Sequence, residues 1–344
     1  RSGARGLMLA RIAQELFWLG RDLTRAEHTA RILDGAFHAD VAAVPGERSV
    51  ALSWEGVLAT IGAKPAAPDD PPTAEHRIVG AEDASVPPES QITALRRGEV
   101  ARLLTLDTDS PASVVSCIAR ARERGRTMRD VISTEMWEGL NSFYLALGRY
   151  DLQAALRTGP YSVYQEVKEY CALFWGLVDR TMLRDEGRAF LEAGGRIEEA
   201  DMVLRMLRVA VPRGALDEGH EAEALALLHA VGGFQAYRRS ARAAPTLSPV
   251  TRFLLFNSSY PGSVASSLDA LAAALSAADD QPRSSQPVLR LGRLIADLEL
   301  QRRAPDAAAS LEEILAQVQT ELALVDRDID TRYFAIAALA ALHL

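Results

Sequence analysis

The sequence predicts an all-α fold, a multi-helix bundle of two diverged helical repeats. Apolar residues recur at three- and four-residue spacing along most of the 344 residues, which is the period of a helix that buries one face. Strand patterns are almost absent, because only Arg77 to Val79 resemble a strand and they are too few to build a sheet. The third observation is a repeat of the start of the chain.

This repeat begins 174 positions after the first copy, where Gly20 aligns with Gly194. An acid and an arginine keep the same separation in both copies, and the aligned pairs are Met8 with Met182, Glu27 with Asp201, Arg31 with Arg205 and Leu33 with Leu207. So long a period excludes a solenoid, whose units have about 20–50 residues. We therefore expect a first helical half over 8–148 and a second over 160–344 packed on it, with 1–7 as a cloning remnant.

The individual helices follow from local signals. An apolar stripe from Leu9 to Leu33 predicts a long first helix, and 49–61 a shorter one. Prolines in 63–75 prevent a helix, so a mobile loop is expected over about 63–90. Ser110 as N-cap and Pro111 as first helical residue predict a helix of about 35 residues, bent at Gly125. Further helices are predicted over 161–185, 188–210, 217–231, 249–257, 262–278, 287–303 and 307–342.

Composition and missing motifs exclude several functions. The net charge of −8 disfavours a nucleic-acid partner, because phosphate binding needs a basic face. We expect no membrane segment, since the apolar stretch from Phe334 to Leu344 is too short to span a bilayer. Two cysteines, Cys117 and Cys171, form no disulfide framework and suit a cytoplasmic location. Because the chain lacks a P-loop, His-Glu-x-x-His and Cys-x-x-Cys, we expect no cofactor and no metal site. The sequence is compatible with a homo-oligomer.

Three charged clusters are candidate sites. Glu135 and Glu138 share a helix face that Asn141 extends, and paired carboxylates there could hold an amine, a metal or a proton. The second cluster precedes the first on the same predicted helix. Its arginines Arg122, Arg126 and Arg129 share one face, which could bind an anion or an acidic partner. The third cluster is the segment 179–186, whose charges lie among apolar residues. The alternatives are solvated faces for the first two and an interhelical salt-bridge network for the third.

Three segments resemble the bacterial alpha-E domain family. They run from Met8 to Arg31, from Ser133 to Asn141 and from Asp179 to Met202, with weaker matches at 234–239 and 253–264. The resemblance covers about Met8 to Leu275. It implies an all-helical fold with characteristic glutamates, encoded beside or fused to an ATP-grasp-like protein, often with a transglutaminase-like protease. These two are the implied partners, and ATP and Mg²⁺ are expected in the partner ligase.

The resemblance also carries over site residues. These residues match charged positions of the family motifs, and we expect catalytic roles for Glu27, Glu135 and Glu138 and substrate-binding roles for Arg21, Arg31, Asn141, Arg180, Arg184, Asp185 and Asp201. The second repeat departs from the family pattern, because it has Gly195 where an arginine equivalent to Arg21 is expected. We therefore expect one composite site, framed by the two repeated helices and completed by the helix of Glu135.

Three functional hypotheses follow. The leading one is a helical partner of an ATP-grasp-type amide ligase, in which arginines hold carboxylates of a peptide, amino acid or carrier and glutamates receive the amine or its proton. The second is a stand-alone enzyme that uses a carboxylate cluster for amide or aminoacyl transfer. The third is a structural assembly module. A pocket lined by Glu27, Glu135 and Glu138 from separate helices would exclude the third.

Overall fold

The computed structural model describes residues 2–42, 52–62, 97–151, 154–155, 161–211, 221–241, 244–303 and 310–335. Within these ranges the protein is helical and has no strand, which confirms the predicted all-α class. The loop expected over about 63–90, the strand-like 77–79 and the apolar end 336–344 lie outside the described residues.

Thirteen α-helices occur in the described ranges: α1 (Ser2–Ala42), α2 (Trp54–Ile61), α3 (Arg97–Thr105), α4 (Val114–Thr127), α5 (Thr134–Leu147), α6 (Tyr161–Thr181), α7 (Glu186–Ala210), α8 (Glu221–Ala230), α9 (Phe234–Ser240), α10 (Leu247–Phe256), α11 (Val264–Ala278), α12 (Gln286–Arg303) and α13 (Leu311–Ile329). Five π-helical residues, Asp330–Phe334, extend α13. None of these helices combines the length and apolar character that crossing a membrane requires.

The prediction of one long helix starting at Ser110 is wrong. Ser113 is the N-cap of α4, and its side chain accepts a hydrogen bond from the backbone of Ser116. The helix does not bend at Gly125 but ends at Thr127, and Ser133 caps the separate helix α5. Each serine satisfies backbone donors at a helix start, and the break folds α5 back onto α4. The short helices α3 and α9 were not predicted.

Helices α1 and α7 form the centre of the molecule and approach each other at glycines. A Cβ atom at Gly20 would overlap the carbonyl oxygen of Leu191, and one at Gly194 would overlap that of Phe17. Leu191 follows Phe17 by the same 174 positions that separate the two glycines. The two contacts are therefore equivalent under the sequence repeat, and the helix pair has approximate twofold symmetry.

The repeat continues beyond the central helices with a different offset. The backbone N–H of Asp109 donates to Asp107 Oδ1 over 2.9 Å, and the N–H of Ser259 donates to Asn257 Oδ1 over 2.9 Å. The N-caps of the following helices, Ser113 of α4 and Ser263 of α11, also match. These positions differ by 150 residues instead of 174, so the first half holds about 24 more residues between α1 and α4 than the second half holds between α7 and α11.

Each half places its short helix on the long helix of the other half. Helix α2 packs on α7, and α8 packs on α1. Both short helices are followed by a glycine with positive φ, 72° at Gly62 and 71° at Gly232, a conformation that glycine adopts without steric cost. Helix α6, which the division by sequence assigns to the second half, packs on α1 and α5.

Candidate functional site

An open cleft of 540 Å³ lies between α1, α6 and α7. Two turns complete it, the glycine turn after α8 and the turn before α11. The lining residues are Thr24, Glu27, His28 and Arg31 of α1; Trp175, Val178 and Asp179 of α6; Arg188, Glu192, Gly195, Arg196 and Glu199 of α7; and Val231, Gly232, Tyr260, Pro261 and Gly262 of the turns. We call this cavity the open cleft.

Glu27 and Arg31 form an ion pair in the open cleft. They are four residues apart on α1, and Arg31 donates to Glu27 Oε1 through both Nε (2.9 Å) and Nη2 (2.8 Å). Among the described residues nothing donates to the second oxygen, Oε2. The third nitrogen, Nη1, faces the glycine turn, where a Cβ at Gly232 would lie 3.2 Å from it. The pair therefore offers both a carboxylate oxygen and a guanidinium to a ligand.

Helix α7 contributes further opposite charges to the open cleft. Arg188 binds Asp179 (3.0 Å) and Glu192 (2.7 Å), and Arg196 binds Glu199 (2.8 Å). Residues 188, 192, 195 and 199 repeat at three- and four-residue spacing, which places them on one helix face. The open cleft thus contains three arginines and four carboxylates, already arranged in pairs.

Gly195 makes room for an aromatic side chain in the open cleft. A Cβ at this position would lie 2.7 Å from Cζ2 and 2.8 Å from Cη2 of Trp175. Gly195 is the position equivalent to Arg21 in the repeat. The missing second arginine is therefore the feature that lets the indole of Trp175 line this side of the molecule.

His28 is a buried imidazole in the open cleft, with 7% of its surface exposed. Burial lowers its pKa, against the opposing effect of the carboxylates of Glu199 and Glu27. The ring is therefore neutral at neutral pH, since the unperturbed pKa is about 6.5. Among the described residues no group forms a hydrogen bond with its nitrogens.

Arg21 belongs to an interior ion-pair network and does not line the open cleft. It is 1% exposed, and it binds Glu198 Oε2 over 3.0 Å and Asp326 Oδ1 over 2.9 Å. Arg25 donates to both oxygens of Glu198. Burial alone would raise the pKa of the Glu198 carboxyl, but the guanidinium groups of Arg25 and Arg21 lower it to about 2. These charges join α1, α7 and α13 in the interior.

Asp201 and Arg205 form the ion pair equivalent to Glu27–Arg31, but both residues are buried. Arg205 Nε donates to Asp201 Oδ2 over 2.7 Å, and a Cβ at Gly62 would lie 3.1 Å from Arg205 Nη1. Gln319 of α13 donates to the other oxygen, Oδ1, over 3.3 Å. Asp201 is 1% exposed, and burial raises its pKa. One half of the repeat therefore has an open pair and the other a buried pair.

The structure does not bring the remaining predicted site residues to the open cleft. Four of them, Glu135, Glu138, Arg180 and Arg184, are exposed. Asp185 is the exposed N-cap of α7 and accepts a hydrogen bond from the backbone of Arg188. Asn141 accepts one from Arg122.

The arginines of α4 are paired within the chain. Arg120 and Arg124 both bind Asp22 of α1, and Arg126 binds Glu123 at the surface. In the segment 179–186, Asp179 forms an ion pair with Arg188 of α7. The described ranges contain no cluster of three or more His, Cys, Asp or Glu residues suited to a metal ion.

The cleft residues of α7 were missed in the sequence, although a signal existed. Arg188, Glu192 and Glu199 follow helical spacing on one face of α7, with Gly195 on the same face between them. His28 was missed because a single histidine in a helix has no motif. Tyr260 and the glycine turns could not be assigned, since they reach the open cleft through the fold alone.

Comparisons with known proteins identify relatives. A family model named Alpha-E, described as a predicted alpha-helical domain with a conserved ER motif, matches residues 8–334. The chain is 25% identical over 321 residues to Uncharacterized protein Mb2597 of Mycobacterium bovis and 24% identical over 321 residues to Uncharacterized protein Rv2567 of Mycobacterium tuberculosis. Both alignments cover 91% of this chain and 34% of the relative, so the chain spans about a third of their length. No solved structure matches significantly.

Proposed function

Because the chain belongs to the alpha-E family, we propose that it is a helical partner of an ATP-grasp-type amide ligase and that it holds a peptide or amino acid in the open cleft. The partner would activate a carboxylate with ATP and Mg²⁺. The resemblance of the sequence to alpha-E domains implies the ligase. The observation that carries the binding role is the open cleft with its paired opposite charges.

The size and charge of the open cleft suit a small zwitterion. Its 540 Å³ fall within the range of about 300–1,000 Å³ that is typical of ligand sites. The Glu27–Arg31 pair is partly exposed, with 17% and 28% of the two side chains accessible. The pair lines the cleft, so a ligand carboxylate can take the place of Glu27 on Arg31. The displaced carboxylate is then available to an ammonium group.

The lengths of the relatives are compatible with substrate binding and the ATP-dependent step lying in different domains. The chain covers 34% of Mb2597 and of Rv2567, so those proteins have room for further domains. An ATP-dependent step carried out by another domain or chain would account for the absence of nucleotide-binding motifs in this sequence.

A stand-alone transferase is the second candidate. The observation that favours it is a neutral imidazole, His28, beside the carboxylate of Glu27 in one cleft, which is a combination suited to acid–base catalysis. In this case the purified chain would turn over an amide or aminoacyl substrate by itself.

The test is co-purification with a neighbouring ATP-grasp protein, followed by ATP hydrolysis assays with amino acids and peptides. Glu27→Gln should lower substrate-stimulated hydrolysis at least about tenfold, a loss of about 1.4 kcal/mol of binding. The matched control is Glu135→Gln, an exposed glutamate outside the open cleft, which should leave the rate unchanged. Equal rates for both variants would contradict the proposed site, and turnover without the partner would favour the second candidate.

A further inference from the structure

A second concave surface lies between α4 and α5 and shares no residue with the open cleft. One end of it is a cavity of 610 Å³ with a mainly apolar lining. Leu145 and Tyr150, which line this cavity, leave 45% and 38% of their surfaces exposed. We call the whole surface the α4–α5 groove, and it consists of Val115, Arg122, Arg129, Trp137, Tyr144 and Leu145.

The other end of the α4–α5 groove carries two arginines on one indole. The guanidinium carbon of Arg129 lies 4.1 Å from the ring centre of Trp137, and that of Arg122 lies 5.9 Å from the same ring centre. Arg122 also lies 4.8 Å from the ring centre of Tyr144, which lines the apolar cavity. The apolar end and the basic end are therefore continuous.

Neither of these arginines is paired with a carboxylate of the described part of the chain. Arg122 donates through Nε to the amide oxygen of Asn141 over 2.9 Å, and a neutral amide leaves its charge uncompensated. Arg129 is exposed, and its contact within the described ranges is the one with the indole. The aromatic contacts order both guanidinium groups and leave most of their N–H donors free. Such groups bind carboxylates through two parallel hydrogen bonds.

The fold does not require an arginine at this position. Helix α11 is the repeat equivalent of α4 at an offset of 150 positions. Both halves keep a cavity at the equivalent place, beside Val115 in the first half and beside Ala265 in the second. However, the second half has Ala272 at the position of Arg122. The positive charge of the α4–α5 groove is therefore a feature of the first half alone.

We propose that the α4–α5 groove binds an extended acidic segment of another protein. Carboxylates of this segment bind Arg122 and Arg129, and an apolar side chain next to them enters the cavity beside Leu145. The argument for this occupant is charge complementarity, because two ordered guanidinium groups lack a carboxylate next to an open apolar cavity. The inference does not rest on the proposed function, because the open cleft is a separate cavity.

The α4–α5 groove suits a peptide better than a nucleic acid. The protein has a net charge of −8, and Glu123, Asp130 and Glu138 adjoin the groove residues in sequence, so a continuous chain of phosphates would be repelled. The apolar cavity can bury a side chain but offers nothing to a phosphate. From Trp137 to Leu147 the helix α5 rises by about 15 Å, a length that about five extended residues span.

The experiment is a calorimetric titration of the full chain with the capped heptapeptide acetyl-Leu-Ala-Glu-Ala-Glu-Ala-Leu-amide. Alternate side chains of an extended peptide share one face, so either direction of binding presents leucine to the cavity and glutamate to the arginines. The caps remove the terminal charges, and the peptide is therefore not the zwitterion expected in the open cleft. The matched peptide with glutamine at both acidic positions should bind at least about tenfold more weakly.

Three variants test the protein side of the contact. Arg122→Gln and Arg129→Gln should each weaken binding of the glutamate peptide at least about tenfold. Arg293→Gln changes the net charge by the same amount at an exposed position on α12, and it should leave the affinity unchanged. Replacement of both leucines of the peptide by alanine should also weaken its binding to the wild type.

The proposal is overturned if the glutamate peptide does not bind, if it binds no better than the glutamine peptide, or if Arg129→Gln keeps wild-type affinity. Tighter binding of a seven-nucleotide oligothymidylate would assign the groove to nucleic acid and overturn the acidic peptide. Displacement of the heptapeptide by glycylglycine, a small zwitterion, would place the peptide in the open cleft and overturn the separate site. The comparison of the two peptides uses the wild type and does not depend on the folding of a variant. Failure of the α4–α5 groove would leave the proposed function intact.

Discussion

Gly20 and Gly194 are equivalent positions of the repeat, and each lies against the backbone of the helix that carries the other. The contact lets α1 and α7 approach more closely than any side chain would permit. Since each helix also carries an acid–arginine pair seven residues after its glycine, at Glu27 and Asp201, the crossing determines where both pairs lie. Only the pair at Glu27 lines the open cleft, whereas the pair at Asp201 is buried.

Gly194→Ala should destabilise the protein strongly. The new methyl group would overlap the backbone carbonyl of Phe17, which cannot move without separating α1 from α7. Overpacking of this kind costs about 1–3 kcal/mol or more, and thermal or urea unfolding would measure it. The control is Gly176→Ala on α6, where a Cβ meets nothing within 4 Å. That variant should be stabilised by about 0.5–1 kcal/mol. Equal stabilities would contradict the close crossing.

Gly195→Ala should impair ligand binding more than stability. Its methyl group would lie 2.7 Å from the indole of Trp175, so the ring must shift within the open cleft. We expect weaker binding of glycylglycine in calorimetry, with a loss of unfolding free energy of about 1–3 kcal/mol at most. Unchanged affinity would show that Trp175 does not contact the ligand.

The two glycines with positive φ offer a matched comparison. Gly232→Ala and Gly62→Ala each place a methyl group at φ near 70° and about 3 Å from an arginine Nη1, that of Arg31 or of Arg205. Both should lose about 1 kcal/mol of stability. Gly232→Ala should also weaken ligand binding, because Arg31 lies in the open cleft, whereas Gly62→Ala should leave binding unchanged. Equal effects on binding would contradict a single open site.

Glu198 should make stability depend on pH in the acid range. Its pKa is lowered to about 2 in the folded protein, against about 4.3 in an unfolded chain. The stabilisation is therefore present above about pH 4.3 and is lost as the pH falls towards 2. Glu198→Gln should remove this part of the acid dependence and cost about 3–5 kcal/mol, because two guanidinium groups stay buried without it. Glu299→Gln, at an exposed surface pair, should change stability little.

The helices and the repeat could be predicted because their signals are local. Apolar periodicity located α6 and α7 to within a few residues, and the alignment of Gly20 with Gly194 indicated the pair that forms the central crossing. The start of α4 could not be predicted, since Ser110 and Ser113 are equally good N-caps and tertiary packing decides between them. It was also impossible to tell from sequence which helix faces meet. Glu135 was therefore expected beside Glu27, although its side chain is exposed on α5 and does not line the open cleft.

The most direct test is calorimetric titration of glycylglycine into the wild type and into Glu27→Gln, Arg31→Gln and Glu135→Gln. A ligand site in the open cleft predicts that the first two substitutions weaken binding at least about tenfold. Glu135→Gln should match the wild type, because Glu135 is exposed on α5 and does not line the open cleft. The ligand site in the open cleft would be contradicted if Glu27→Gln and Arg31→Gln kept wild-type affinity. It would also be contradicted if Glu135→Gln lost binding.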